Sequence, residues 1–375
     1  MELKDTRSGF GAALAELGRQ NPNVFALCAD VVGSLKMGDF IKEFPERFVQ
    51  TGIAEANMTG IAAGLALSGK IPFIGAFAEF VSGRVYDQIR MVVAYSNLNV
   101  KIAASHAGIT VGEDGATHQA MEDIGMMKML PNMVVLSPCD YNQTKLATFA
   151  AAKHQGPVYL RFGRPAVPNF TSLDTPFVIG KALKMKEGKD VTILATGHLV
   201  YHALEAAKIL EEKGISAEII DIHTIKPLDT ETIAQSIAKT HCVVTAEEHL
   251  LNGGLCDSVC QWLALHQPTP VEAVAVDDQF GESGKPDELM KKYPNAKPVV
   301  APVSGMLLWE VAVGGEVSMS KPLGTPYKEG DLVCVISAYY GQEEVHSLFT
   351  GKLCAVIAQQ GKRVQKGEVI AMIEG

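Results

Sequence analysis

Apolar and polar positions along the first 170 or so residues switch repeatedly between helical and strand-like spacing. Phe10 to Leu17 reads as an amphipathic helix, and Val24 to Ala29 as a short buried strand that ends at Asp30. Phe48 to Thr51 leads into GIAEANMTGIAAGLALSG, whose small residues at helical spacing predict a helix packed tightly against a neighbouring backbone. Pro72 to Ala76 is a further strand, followed by a helix from Phe80 to Ala94. Strands at Val134 to Ser137 and Val158 to Arg161 complete a series separated by helices, the order of a parallel sheet.

RPAVPNFTSLDTP closes this unit near Pro176, and the alternation then resumes. Strands are expected at Val191–Thr196, Ala217–Ile222 and Cys242–Ala246, with helices at Tyr201–Lys213, Asp229–Lys239 and Leu255–Ala264. After Tyr293-Pro294 only short β-rich runs divided by glycine turns are left. The chain therefore reads as an α/β domain over 1–170, a smaller α/β domain over 177–294, and a small all-β domain over 298–375.

A chain of 375 residues is long enough for several cores, and 47% hydrophobic with 20% charged residues is the composition of a globular protein. A net charge of −9 with no basic block argues against nucleic acid or an acidic membrane as partner. The N-terminus lacks a signal-peptide core, and no apolar run reaches membrane length. Seven cysteines, an odd number, suit a reducing cytoplasm better than a disulfide framework. Cys256 and Cys260 lie one helical turn apart without the second pair that a zinc site needs, and read as small buried residues.

Candidate chemistry concentrates in SHAGITVGEDGATHQ, Ser105 to Gln119, just after a largely apolar run. Glycines there free the backbone to turn sharply at the end of a buried strand, where α/β folds place their sites. His106, Asp114 and His118 can converge from the two ends of that one loop. A solvated surface turn or a metal site would draw on the same residue types. Glu55 opens a helix after a glycine, either to complement the helix dipole or as a poised carboxyl. Phe77 and Phe80, three apart, share a helix face and could simply be core. Asp30 could simply cap a turn.

GEDGATHQ with a histidine upstream resembles transketolase, at the part of its pyrimidine-binding domain that faces the substrate. The resemblance extends over residues 1–294 and implies the following roles. TGIAEAN matches the stretch whose glutamate, here Glu55, activates the aminopyrimidine of thiamine diphosphate by hydrogen-bonding a ring nitrogen. Phe77 and Phe80 would stack on that ring, while Gly83 stands where the family has a further aromatic. Asp30 would help hold the cofactor, and Ser34 would meet the sugar phosphate. Arg161 would be the phosphate-binding arginine, a role for which the guanidinium fork is suited, with Arg164 assisting. His106 and His118 would bind sugar hydroxyls and shuttle protons, and Asp114 would orient a hydroxyl.

The family holds the diphosphate and Mg2+ through a GDG motif followed by an asparagine, and this chain contains no such motif. The resemblance thus implies the C-terminal subunit of a split transketolase, transferring a two-carbon ketol unit between sugar phosphates. An N-terminal-section subunit would supply the metal site, and the pair would form a heterotetramer. Deoxyxylulose-phosphate synthase and the second chain of 2-oxo acid dehydrogenases are related alternatives; the former carries both halves in one chain, and the latter lacks the GEDGxTHQ loop.

The last 78 residues or so resemble a biotinyl/lipoyl carrier domain, a barrel-sandwich hybrid. Ser337-Ala338-Tyr339-Tyr340-Gly341 places Tyr340 where a carrier has its lysine, and tyrosine cannot form the amide. That favours a docking or assembly module over a swinging-arm carrier. Glu247, Glu248 and His249 in AEEH, and His223 in DIHTIKPLD, are expected to be structural, the former at domain contacts.

Overall fold

Six strands form a parallel sheet in the first part of the chain: β1 (Val24–Cys28), β2 (Phe48–Gln50), β3 (Ile71–Phe77), β4 (Lys101–Ser105), β5 (Val134–Leu136) and β6 (Val158–Arg161). These features come from a computed structural model that describes residues 2–293 continuously and, beyond them, short strands between Ala296 and Glu374 with a few adjoining residues. Central strands β4, β5 and β6 are buried along their whole length, as expected of parallel strands covered on both faces. Helix α1 (Thr6–Gln20) is capped by Asp5, whose side chain accepts the Ser8 N–H at 2.9 Å. It lies against a later helix, Tyr141–Lys153, so closely that a Cβ at Gly9 would collide with the Tyr141 carbonyl.

Helix α2 (Glu55–Leu67) departs from expectation on one face. Gly60 and Gly64 are exposed, and a Cβ at either would meet no atom within 4 Å. The tight backbone contact predicted for this small-residue face is therefore not made among the described residues. The single helix expected over Phe80–Ala94 is also broken. It consists of Ala78–Ser82, a turn through Gly83, and a second segment from Tyr86 whose later part, Ile89–Ala94, widens to π spacing. Gly83 weakens a helix by about 1 kcal/mol relative to alanine. The turn directs Arg84 toward Glu55, with Nη1 at 2.9 Å from Oε1.

Strands β7 (Leu183–Lys186), β8 (Val191–Ala195), β9 (Ala217–Asp221), β11 (Val243–Leu250) and β12 (Val271–Val276) build a second sheet in the order β12-β11-β8-β9-β7. All its pairings are parallel except β7 with β9. Strand β10 (Thr224–Lys226) leaves this sheet and joins the first, antiparallel to β5, giving the order β2-β1-β3-β4-β6-β5-β10. The two α/β regions consequently share one compact unit, Met1–Tyr293, and Pro294–Gly375 forms another. Within the latter, the described strands pair antiparallel in two four-stranded sheets and one hairpin. Tyr339 and Tyr340 lie outside the described residues. Among the described residues no helix is long and apolar enough to cross a membrane.

Asp221, at the end of β9, is fully buried between the two sheets' connections. Its Oδ2 accepts a hydrogen bond from Gln143 Nε2, while Oδ1 has no partner. Burial raises its pKa to about 7, opposed by the Gln143 bond and reinforced by nearby Asp140. An unfolded aspartate titrates near about 3.9, so the folded chain binds the proton more tightly between these values. The stability contributed is complete below the unfolded pKa and is lost as pH rises through about 7. Asp221→Asn should therefore gain melting temperature relative to the native chain as pH is raised from about 4 to about 8. A gap that does not change with pH would refute this account.

Candidate active site

The carboxyl ends of β1, β3 and β4, and the segment that follows β6, deliver polar or aromatic groups to one rim of the first sheet. Phe77 ends β3, and the chain turns at once into the short helix bearing Phe80, bringing the two rings to 5.9 Å. Ser105 ends β4, and His106 follows with φ +57°, a left-handed conformation uncommon for a side-chain-bearing residue. That turn lays the imidazole flat on Phe77, with centroids 3.9 Å apart, and sets Nδ1 2.7 Å from Ser105 Oγ. His118 returns from the far end of the loop and meets Phe80 edge-on at 5.3 Å and Phe77 at 6.2 Å. Arg84 lies 4.1 Å over the Phe80 ring and pairs with Glu55, which is 4% exposed. Glu55, Arg84, Phe80, Phe77, His106 and His118 thus form one continuous set of contacts, with Arg84 bridging Glu55 to Phe80.

Two guanidinium groups set the electrostatics at the His106 end. Burial first, and then the positive charges of Arg7 and Arg164, lower the His106 pKa to about 3. Its imidazole is neutral at any physiological pH. Arg7 lies in α1, 3.4 Å from Asp5 Oδ1, and donates to the Ser34 carbonyl at 3.2 Å; its buried Nε makes no hydrogen bond. Arg164 is partly exposed and pairs with Glu113 of the loop at 2.8 Å. Arg7 is not legible in the sequence, because a lone arginine in an amphipathic helix carries no local signal of where it points.

The remaining candidates divide. Ser34 borders the Arg7 guanidinium through its carbonyl. Asp30 is exposed with φ +62°, and its N–H is bonded to Gln50 Oε1, which also accepts from Gly52 just ahead of Glu55. Asp114 is exposed at the end of the turn Ile109–Asp114 and makes no hydrogen bond or ion pair among the described residues. Arg161 is not at the rim. Nε sits 2.9 Å from Asp123 Oδ2 and Nη2 donates to the Glu248 carbonyl at 2.8 Å, so the side chain is 5% exposed. Strand β6 directs residue 161 into the packing between sheets and leaves residue 164 beyond its end.

The second α/β region reaches the loop as well. Glu248 Oε1 accepts both the N–H and the hydroxyl of Thr110. Gln119, next to His118, donates to the Glu282 carbonyl at 3.0 Å and to the Ile109 carbonyl at 3.1 Å. Cys256 is buried and Cys260 half-buried, with their sulfurs 3.7 Å apart. Among the described residues no group of three or more His, Cys, Asp or Glu is placed to hold a metal ion.

Residues 3–169 match the model of the transketolase pyrimidine-binding domain, and residues 180–297 that of the transketolase C-terminal domain. A putative transketolase C-terminal section of Methanocaldococcus jannaschii is 48% identical over 293 residues, 77% of this chain and 92% of that protein. The chain belongs to the transketolase family. It corresponds to the C-terminal section of a split transketolase. A subunit of the apulose-4-phosphate transketolase of Phocaeicola vulgatus is 40% identical over 288 residues, covering 76% of this chain and 92% of that protein. The solved structure of a split-gene transketolase, an inactive β4 tetramer, superposes with a TM-score of 0.73 at 49% identity, covering 77% of this chain and 93% of that one.

Against the transketolase pattern, Gly83 leaves one side of the Phe77–Phe80 pair without an aromatic, and the guanidinium of Arg84 covers Phe80 instead. The neutral state of His106 is directly measurable. Its Cε1 proton resonance should not move between about pH 5 and about pH 8, since the folded pKa lies well below that window. A midpoint near 6 would show that neither burial nor the two guanidinium groups hold the ring neutral.

Proposed function

We propose that this chain is the pyrimidine-binding and C-terminal half of a thiamine-diphosphate-dependent transketolase that moves a two-carbon ketol unit between sugar phosphates. An N-terminal-section subunit would hold the diphosphate and Mg2+, and the two chains would assemble as a heterotetramer. The single observation that supports this most strongly is the chain of contacts from Glu55 through Arg84 and the two phenylalanines to His106 and His118.

The residues suit the aminopyrimidine of the cofactor. Phe77 and Phe80 would offer aromatic surface to that ring, and the buried Glu55 carboxyl, paired here with Arg84, would hydrogen-bond a ring nitrogen. When bound, thiamine diphosphate supplies a nucleophilic carbon and a sink for the electrons of the broken carbon–carbon bond. Asp30, tied through Gln50 to the segment that leads to Glu55, would help hold the cofactor.

On the substrate side, His106 acts as a neutral hydrogen-bonding group for a sugar hydroxyl, because its depressed pKa makes it a poor proton acceptor. His118, half-exposed, takes the proton from the donor's hydroxyl as the carbon–carbon bond breaks and returns it to the acceptor's aldehyde oxygen. Asp114 orients a hydroxyl next to the carbonyl. Ser34, Arg7 and Arg164 bound the end of the site where a phosphate would compete with Asp5 and Glu113 for two guanidinium groups. Arg161, with its donors engaged in the interior, supports that end from beneath.

The exposed face of α2 at Gly60 and Gly64 suits self-association, since a partner helix can approach the bare backbone closely. The region 298–375, with its antiparallel strands, serves as a docking or assembly module.

The test is activity of this chain with and without the N-terminal-section subunit, in xylulose 5-phosphate, ribose 5-phosphate, thiamine diphosphate and Mg2+. Ketol transfer is expected only in the mixture; turnover by this chain alone, or turnover of pyruvate instead, would overturn the assignment. In the active mixture Glu55→Gln should abolish turnover, whereas Arg164→Ala should raise KM for phosphorylated sugars by about tenfold and leave kcat within a few-fold. Near-normal rates with Glu55→Gln would remove the carboxyl from the chemistry.

A further inference from the structure

We infer that Glu248 is a positioning residue through which the C-terminal domain sets the active-site loop, acting on His106 and His118 by way of Thr110. Its catalytic consequence rests on the reading just proposed; its structural basis does not. Strand β11 carries Glu248 out of the second sheet and under the loop of the first. There one carboxylate oxygen accepts two hydrogen bonds from the same residue, the Thr110 N–H and hydroxyl. The backbone at Gly108, φ +85°, lies directly over this carboxylate, and a Cβ there would collide with it. His106 is therefore two residues from a clamped point.

Further bonds fix the opposite end of the loop to the same domain. Gln119 binds the Glu282 carbonyl, and the Leu250 N–H donates to the Met121 carbonyl at 2.7 Å. Gly125 donates to His249 Nε2 at 3.4 Å, and Arg161 donates to the Glu248 carbonyl. Glu248 thus contributes its main chain to the sheet-to-sheet junction and its side chain to the loop. Nothing else among the described residues satisfies the Thr110 N–H; the residue is 5% exposed, so water cannot readily replace the carboxylate.

What the loop uses of this side chain is one acceptor oxygen. The carboxylate is buried, and its second oxygen lies 3.8 Å from Nδ1 of His198, whose two ring nitrogens have no hydrogen-bond partner. A buried acid in such a setting is costly unless its oxygens are used as acceptors. Glutamine retains one such oxygen at nearly the same position, and alanine retains none.

Amide hydrogen exchange on this chain by itself decides the matter. In Glu248→Ala, amides from Ile109 to Gln119 are expected to exchange at least about tenfold faster, while those of β1, β3 and β4 keep their native rates. Glu248→Gln should recover most of the protection. Unchanged loop exchange in Glu248→Ala, a Gln variant as fast as the Ala one, or acceleration spread evenly over β1, β3 and β4 would each overturn the inference. In the reconstituted complex, kcat/KM should fall about tenfold with Ala and recover with Gln. Because exchange needs neither substrate nor partner, failure of the ketol-transfer reading leaves that measurement intact. Conversely, active complexes of native chain with unaltered loop exchange in Glu248→Ala would sink only the positioning role.

Discussion

A buried ion pair between Arg161 and Asp123 sits where the two α/β sheets meet, and through the Ala120 carbonyl it anchors the far end of the active-site loop. Asp123 is fully buried and takes bonds from both Arg161 Nε and the Tyr159 hydroxyl, at 2.9 and 2.8 Å. The guanidinium continues to the Glu248 carbonyl, so one side chain ties β6, the helix beginning at Asp123, and β11. Removing one member of such a pair leaves an uncompensated buried charge, at a cost of about 3–5 kcal/mol. The loop carrying His106 and His118 spans this junction and takes its anchors from both sides. Strand β10 adds a second tie by crossing into the first sheet.

The charge arrangement above that junction explains how one loop presents two histidines of different character. His106 is buried against Phe77 and faces two guanidinium groups, which favour its neutral form. His118 touches the same aromatic pair edge-on from a more open position. A single aromatic platform thus separates a hydrogen-bonding imidazole from one with access to solvent. Arg84 completes the platform at the Glu55 end, where its charge covers Phe80 and meets the carboxylate.

Much of this is written in local sequence. Parallel strands buried on both faces appear as short apolar runs, so β1, β3, β5 and β6 are legible from residue type alone. The motif GEDGATHQ and its upstream histidine mark the loop, and TGIAEAN marks Glu55, because these stretches are contiguous. The short strands Leu183–Lys186 and Thr224–Lys226 carry too few residues to establish a period, and they form only because an edge is available to pair with. The break at Gly83 is hidden inside an otherwise helical pattern, and the turn there brings Arg84 to Glu55.

Sequence by itself determined the main βα alternation, the glycine-rich loop and the identity of the aromatic and acidic groups, since these depend on neighbours along the chain. Which arginine faces the site was decided only in three dimensions. Arg161 and Arg164 are three residues apart, yet the end of β6 turns the first into the interior to Asp123 and leaves the second near His106. Arg7 and Glu248 come to the same loop from opposite ends of the unit, separated by 241 positions. No periodicity records such a meeting, because it is fixed by how the two sheets pack and by the buried pair that holds them there.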